Sequence, residues 1–177
     1  MTSNQRQYVI LLMLVALVVV FGLWTASQAP ELQVRIPSGG NDIQASDMQI
    51  RTASGLVVVG ESDSQQVAAL FPDGKALGMS TVYFDRSQGC TFTFTKMDKL
   101  KVMHIENPGL ATWRGIKVGD TLDPAVIAAY GPNYGYAKKP DSHQAIDVAY
   151  GDNDGGVIFQ VRDNVVTKII LQKEPPR

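Results

Sequence analysis

Hydrophobic positions follow two different rules along this chain. From Tyr8 to Trp24, YVILLMLVALVVVFGLW runs for 17 residues without a charge, and Thr25 to Pro30 prolong it uncharged. A bilayer core needs about 20 apolar residues, with a lower limit of about 17. We therefore expect a cytoplasmic N-terminus over residues 1–7 and a transmembrane anchor over 8–27, with 8–24 in contact with the bilayer. The other reading is secretion after signal cleavage near residue 27. Arg6 precedes the run and Glu31 and Arg35 follow it. The positive-inside rule then leaves the C-terminal part outside the cytoplasm.

Residues 28–47 are polar and broken by Pro30, Pro37, Gly39 and Gly40. They read as a tether with one strand, Leu32 to Ile36. From Met48 the rule becomes short alternating runs separated by Gly, Asp and Asn. TFTFT places Phe92 and Phe94 on one side of a strand and Thr91, Thr93 and Thr95 on the other. Val157, Phe159 and Val161 likewise oppose Ile158, Gln160 and Arg162. Such alternation suits an antiparallel sheet with one covered face. Two short helical patterns interrupt the strands, Ser64–Phe71 and Pro124–Tyr130. Val67, Leu70 and Phe71 share one helix face, as do Val126 and Tyr130. Ser64 and Asp123 stand at the expected caps, and Pro124 at a first helical position.

The elements repeat. GESDSQQVAALF, from Gly60, aligns with GDTLDPAVIAAY, from Gly119, at a constant spacing of 59 residues. Tyr83, Asp85, Gly89 and Phe92 recur 67 residues later as Tyr150, Asp152, Gly156 and Phe159. Val102 and Ile105 are matched to Val166 and Ile169. Three blocks in the same order point to a duplicated unit. The expected fold is α+β: an N-terminal transmembrane helix, then two tandem strand-helix-three-strand modules with antiparallel sheets. Module 1 spans 48–109, with a first strand Leu56–Val59. Module 2 spans 110–172, with a first strand Ile116–Val118. Residues 173–177 form a mobile tail.

Composition narrows the function classes. Sixteen basic and 17 acidic residues give a net charge of -1, so there is no basic footprint for nucleic acid. The single cysteine, Cys90, allows no intramolecular disulfide framework, and its alternating register makes it a small buried apolar group.

The order of Gly115-Ile116, Val118-Gly119-Asp120-Thr121, Val126, Tyr130-Gly131, Tyr150, Ile158-Phe159, Val161, Val166 and Ile169 resembles the β-lactamase-inhibitor-protein-like group. That group includes the small outer-membrane assembly lipoprotein fold and bacterial extracytoplasmic proteins of unknown function. The resemblance covers about residues 50–171, and the first half is a degraded copy. It implies tandem α+β modules whose sheets bind other proteins, and it implies no catalytic residue. The chain departs from the assembly lipoprotein in lacking the lipidated cysteine.

Candidate chemistry is sparse. RGIKVGDT, residues 114–121, looks like a phosphate loop, but Asp120 stands where such a loop needs lysine. GDNDGG, residues 151–156, opens like a calcium loop yet has the composition of a hairpin turn. Asp120 and Asp123 flank a helix start, where capping explains acids. His104 in a strand pattern and His143 in a polar loop are not assigned metal or catalytic roles. The segment 131–141 reads as a long loop, and Tyr134, Tyr136, Lys138 and Lys139 suit a partner-binding surface. We expect a membrane-anchored, extracytoplasmic, non-catalytic interaction protein with an envelope or membrane protein partner, no cofactor and no metal. Two other readings remain open: an envelope hydrolase using Asp120, Asp123 or His143, and a structural subunit held in a complex by its membrane helix.

Overall fold

The computed structural model describes residues 33–35, 43–77, 81–138, 145–152 and 154–173. The expected anchor, residues 8–27, lies outside these, as do Lys139 and His143. Among the described residues no helix is long and apolar enough to cross a membrane.

Strands dominate. In chain order they are β1 (Gln33–Arg35), β2 (Gln49–Arg51), β3 (Leu56–Val58), β4 (Lys75–Ala76), β5 (Val82–Asp85), β6 (Cys90–Phe94) and β7 (Leu100–Ile105). There follow β8 (Gly135–Lys138), β9 (Ala145–Asp152), β10 (Gly155–Arg162) and β11 (Val165–Lys173). Helix α1 (Ser64–Leu70) lies between β3 and β4. Helix α2 (Ile127–Tyr130), entered through a wide turn Leu122–Val126, lies between β7 and β8. Nine strands form one antiparallel sheet in the order β1-β8-β9-β10-β11-β7-β6-β5-β4, and β2 and β3 form a separate two-stranded sheet, with Ile50 of β2 also bridging Thr112.

The strand alternation read from the sequence holds. Phe92, Phe94, Val157, Phe159 and Val161 are buried, and Cys90 is fully buried beside them. Val67 and Phe71 of the α1 segment, Val126 and Tyr130 of the α2 segment, and Ile50 and Val57 of the β2–β3 hairpin join the same core cluster. The two helices and the hairpin thus share a core with one face of the sheet. Two turns of helix do not persist in water alone, and this burial supplies what is missing.

Several contacts recur in the two halves. The Tyr83 hydroxyl donates to Phe71 O at 2.6 Å, at the end of α1; the Tyr150 hydroxyl donates to Gly131 O at 2.8 Å, at the end of α2. Phe71 packs on Phe92 at 4.7 Å between centroids, and Tyr130 on Phe159 at 5.2 Å. Gly60 and Gly119 both adopt positive φ, 91° and 100°, which favours glycine. Their N–H groups donate to Leu100 O and Val166 O. Strand registers slip between Thr93 and Phe94 in one half and between Gln160 and Val161 in the other. These contacts equate Leu100 with Val166 and Met103 with Ile169, two residues away from the match expected for Val102 and Ile105.

Other expectations are corrected. The halves do not keep separate sheets: Ile105, His104, Met103 and Val102 of β7 pair with Ile169, Ile170, Leu171 and Gln172 of β11. Residues 116–118 are not a strand and make only an isolated bridge, Ala111 to Lys117. Four strands, not three, follow each helix. The cap of α1 is Asp63, whose carboxylate accepts the Gln66 N–H at 2.8 Å while the Gln66 side chain accepts the Asp63 N–H; Ser64 is the first helical residue. Asp123 is extended at φ -115° and ψ 123°, and the Asp123–Pro124 peptide is cis. Its backbone, not its carboxylate, bonds the Asn164 side chain. Parts of the expected tether belong to the fold, since β1 pairs with β8 and Ala45–Met48 forms a 3-10 turn.

Candidate functional site

The segment 131–141 is not a loop throughout. Residues Gly135–Lys138 form β8, paired on one side with β9 and on the other with β1. Burial then separates the expected contact residues, although Tyr136 and Lys138 share one face of β8. Tyr134 is half-buried, and its ring lies 6.0 Å from that of Tyr150. Tyr136 pairs with Val148, whose side chain enters the core, and is half-buried on the same face. Lys138 alone of the described three is exposed.

RGIKVGDT is a turn held from within. The Lys117 N–H donates to the Asp120 carboxylate at 2.8 Å, and the Asp120 N–H to Lys117 O at 3.2 Å. In the first half the equivalent amide, Val58 N–H, donates to Ser62 Oγ at 3.0 Å. The carboxylate of Asp120 thus occupies a structural position, and Asp123 lies beyond the turn against Asn164. In the hairpin of β9 and β10, Asp152 Oδ1 accepts the Asp154 N–H at 2.9 Å. Gly151 there has φ 134°, and a Cβ would lie 2.2 Å from Gly155 O. Turn geometry accounts for the glycine and the aspartates of GDNDGG.

Arg114 has a role that the sequence did not signal. Its guanidinium donates to both oxygens of Asp47, at 2.7 and 2.6 Å, and to Ala129 O at 3.1 Å. It also stacks 4.6 Å above the Tyr130 ring. Asp47 is fully buried and also accepts the Gln44 N–H. One cation thus joins the 3-10 turn, the 112–116 loop and α2.

Two of the grooves between described residues bear on the candidate sites. The larger, about 580 Å³, lies between β3 and α1 and is lined by Leu56, Val58, Glu61, Gln66 and Leu70 among others. The smaller, about 190 Å³, crosses β8 to β11 near Asp147, Gln160 and Arg162. Neither is lined by Asp120 or Asp123.

The broadest feature is the face of the nine-stranded sheet opposite the helices. Phe84, Thr91 and His104 pair in one row across β5, β6 and β7. The row continues through Ile170, Ile158 and Ala149 on β11, β10 and β9, and ends at Gly135 on β8. Every side chain from Phe84 to Ala149 is half-buried, and none belongs to the core cluster. Lys168 and Glu106 form an ion pair at 2.6 Å beside the row. Burial and the Lys168 charge hold the His104 imidazole below its ordinary value of 6.5, with Glu106 opposing them. Cys90, on the covered face, has its thiol pushed up to about 12 by burial and then by Asp85 and Glu106.

No protein-family profile matches this chain, and no curated protein matches it. Among solved structures it is similar to a DUF4309 family protein, YjgB, from Bacillus subtilis subsp. subtilis str. 168. The two share 15% identity over 66% of this chain and 82% of that one, with a TM-score of 0.44.

Proposed function

We propose that this chain is a non-catalytic, extracytoplasmic interaction module, anchored in a membrane by residues 8–24, that presents the open face of its sheet to a protein partner. The observation that carries this reading is the row from Phe84 to Ala149. A sheet nine strands wide has one face in the core and leaves on the other a half-buried row, four of whose six side chains (Phe84, Ile170, Ile158 and Ala149) are apolar and stand outside the core cluster. Apolar side chains left partly open outside a core can serve as contact points for a partner. The duplicated strand-helix unit, and its resemblance to modules whose sheets bind proteins, support the same reading. The two described positions suggested for hydrolysis do not favour chemistry: Asp120 caps a turn, and Asp123 lines neither of these grooves.

The test is a photo-crosslinking amino acid at Ile158 of the full chain in its native membrane. A covalent adduct with a protein is the expected result. Irradiation that yields no protein adduct at Ile158, in a chain shown to be folded, overturns the reading.

A further inference from the structure

The β2–β3 hairpin has one open edge. The Thr52 N–H donates to Gly55 O, and the Val59 N–H to Met48 O. Main-chain groups alternate sides along a strand, so Gly55, Val57 and Val59 turn theirs towards β2, while Leu56 and Val58 turn theirs away. Among the described residues β2 is the one strand beside β3, which makes β3 an edge strand. The outward groups of Val58 are used within the chain. Its N–H donates to Ser62 Oγ at 3.0 Å, and its carbonyl accepts the Ser62 N–H at 2.9 Å. No turn or loop bond among the described residues uses the N–H or the carbonyl of Leu56.

The second half closes the same position. At the spacing of 59 residues Leu56 corresponds to Gly115, whose N–H donates to Thr112 O at 2.9 Å inside its own turn. Leu70 corresponds to Ala129, and Gln66 to Ala125. The shared fold therefore requires neither an open amide nor a leucine at these places. Leu56 nevertheless stands 41% exposed.

Leu56 and Leu70 border one space. The groove of about 580 Å³ between β3 and α1 is lined by both, with Val58, Gln66 and Ala69. Gln66 and Ala69 are exposed, so the helix side of the groove is open to a partner. An unused main-chain donor and acceptor beside an apolar groove suit an extended peptide. The edge supplies hydrogen bonds, and the groove takes alternate side chains. A partner helix has its own main-chain groups already paired and leaves the edge unused. Glu61, the charged residue in the lining, disfavours an acidic segment.

We propose that the β3 edge and the β3–α1 groove form a docking site for an extended, apolar, non-acidic segment of another protein. The segment adds a strand beside β3 through the Leu56 N–H and carbonyl, and it seats a side chain between Leu56 and Leu70. This site is separate from the open face of the large sheet and rests on its own observations.

The test uses the full-length chain in detergent and a displayed library of random short peptides. Chains carrying Leu56→Lys or Ala69→Arg, with unchanged circular dichroism, serve as controls. The recovered peptides should alternate apolar residues and bind the unaltered chain at least about tenfold more tightly than either variant. They should also slow hydrogen exchange at the Leu56 amide. N-methylation of the peptide amide that faces the Leu56 carbonyl should weaken binding by about tenfold. A library that yields no binder overturns the site. Peptides that bind both variants as tightly as the unaltered chain, or that leave Leu56 exchange unchanged, overturn it as well. A Leu56 amide already protected in the chain alone overturns the outside partner, because a segment of the chain itself then covers the edge.

Discussion

Arg114 grips Asp47 with two hydrogen bonds, 2.7 and 2.6 Å long, across 67 positions of sequence. Asp47 is fully buried, while the Arg114 side chain keeps 22% of its exposure. Removing one partner of a buried pair leaves the other desolvated and uncompensated, at about 3–5 kcal/mol. Arg114→Met should therefore lower Tm by roughly 10 °C, read by circular dichroism on thermal unfolding. The double variant Asp47→Leu with Arg114→Met should recover much of that loss. A double variant as unstable as the sum of the two singles would show that the residues act separately.

The paired tyrosines test whether the repeated contacts carry repeated energies. Tyr83→Phe and Tyr150→Phe each remove one hydroxyl that donates to the carbonyl at a helix end. Each should cost about 1 kcal/mol in urea unfolding, with the slope unchanged. Five strand spacings, about 24 Å, separate the residues, so the two losses should add. A cost confined to one half would show that the duplicated geometry is not duplicated in energy.

The glycines separate two kinds of strain. Gly119 has φ 100° and open space where a Cβ would go. Gly119→Ala should cost about 1–2 kcal/mol from backbone conformation alone. Gly151→Ala adds a Cβ 2.2 Å from the Gly155 carbonyl oxygen and 2.7 Å from Gly156 Cα, and that backbone belongs to the hairpin. It should cost clearly more in the same denaturation experiment. Equal costs would mean that the β9–β10 turn yields freely.

Local features of this fold were legible and long-range ones were not. The alternation of Val157, Phe159 and Val161 names the covered face because a strand has a period of two. The α1 helix was visible because Val67, Leu70 and Phe71 share a face. Its cap was misplaced by one residue: Asp63 and Ser64 are both good caps, and the reciprocal bond from Gln66 selects Asp63. β8 was hidden because Tyr-Gly-Tyr beside lysines and a proline reads as loop, while β1 and β9 supply its hydrogen bonds from either side. The β7–β11 seam and the Asp47–Arg114 pair join residues more than 60 positions apart, a relation that no local period encodes. The open face could be read strand by strand, but the row from Phe84 to Gly135 depends on that seam.

Cys90 offers a direct probe of the core. The thiol is fully buried, donates to Gln88 O at 3.2 Å and is pushed up to about 12, chiefly by burial. Thiolate is the reactive form, so the native protein should leave a thiol reagent such as DTNB almost unreacted at neutral pH. One equivalent should react once denaturant is added. Rapid native labelling would mean that the β5–β6–β7 segment opens locally far below the global unfolding cost.

The open face should also make stability depend on pH through His104. Its folded value lies below the ordinary 6.5, mainly because of burial and then because of Lys168, with Glu106 acting the other way. As pH falls through about 6.5 the unfolded chain takes up a proton first. In that window the unfolded state binds more protons, so stability is present above 6.5 and is lost on acidification towards the folded value. The difference in Tm between about pH 7.5 and pH 5.5 should therefore shrink in His104→Gln. Added salt should shrink it less than the substitution does, because salt screens Lys168 and leaves the burial cost in place. An unchanged pH dependence in His104→Gln would mean that the imidazole is as well solvated in the folded chain as in the unfolded one, and that the face beside it is more open to water than its half-buried row implies.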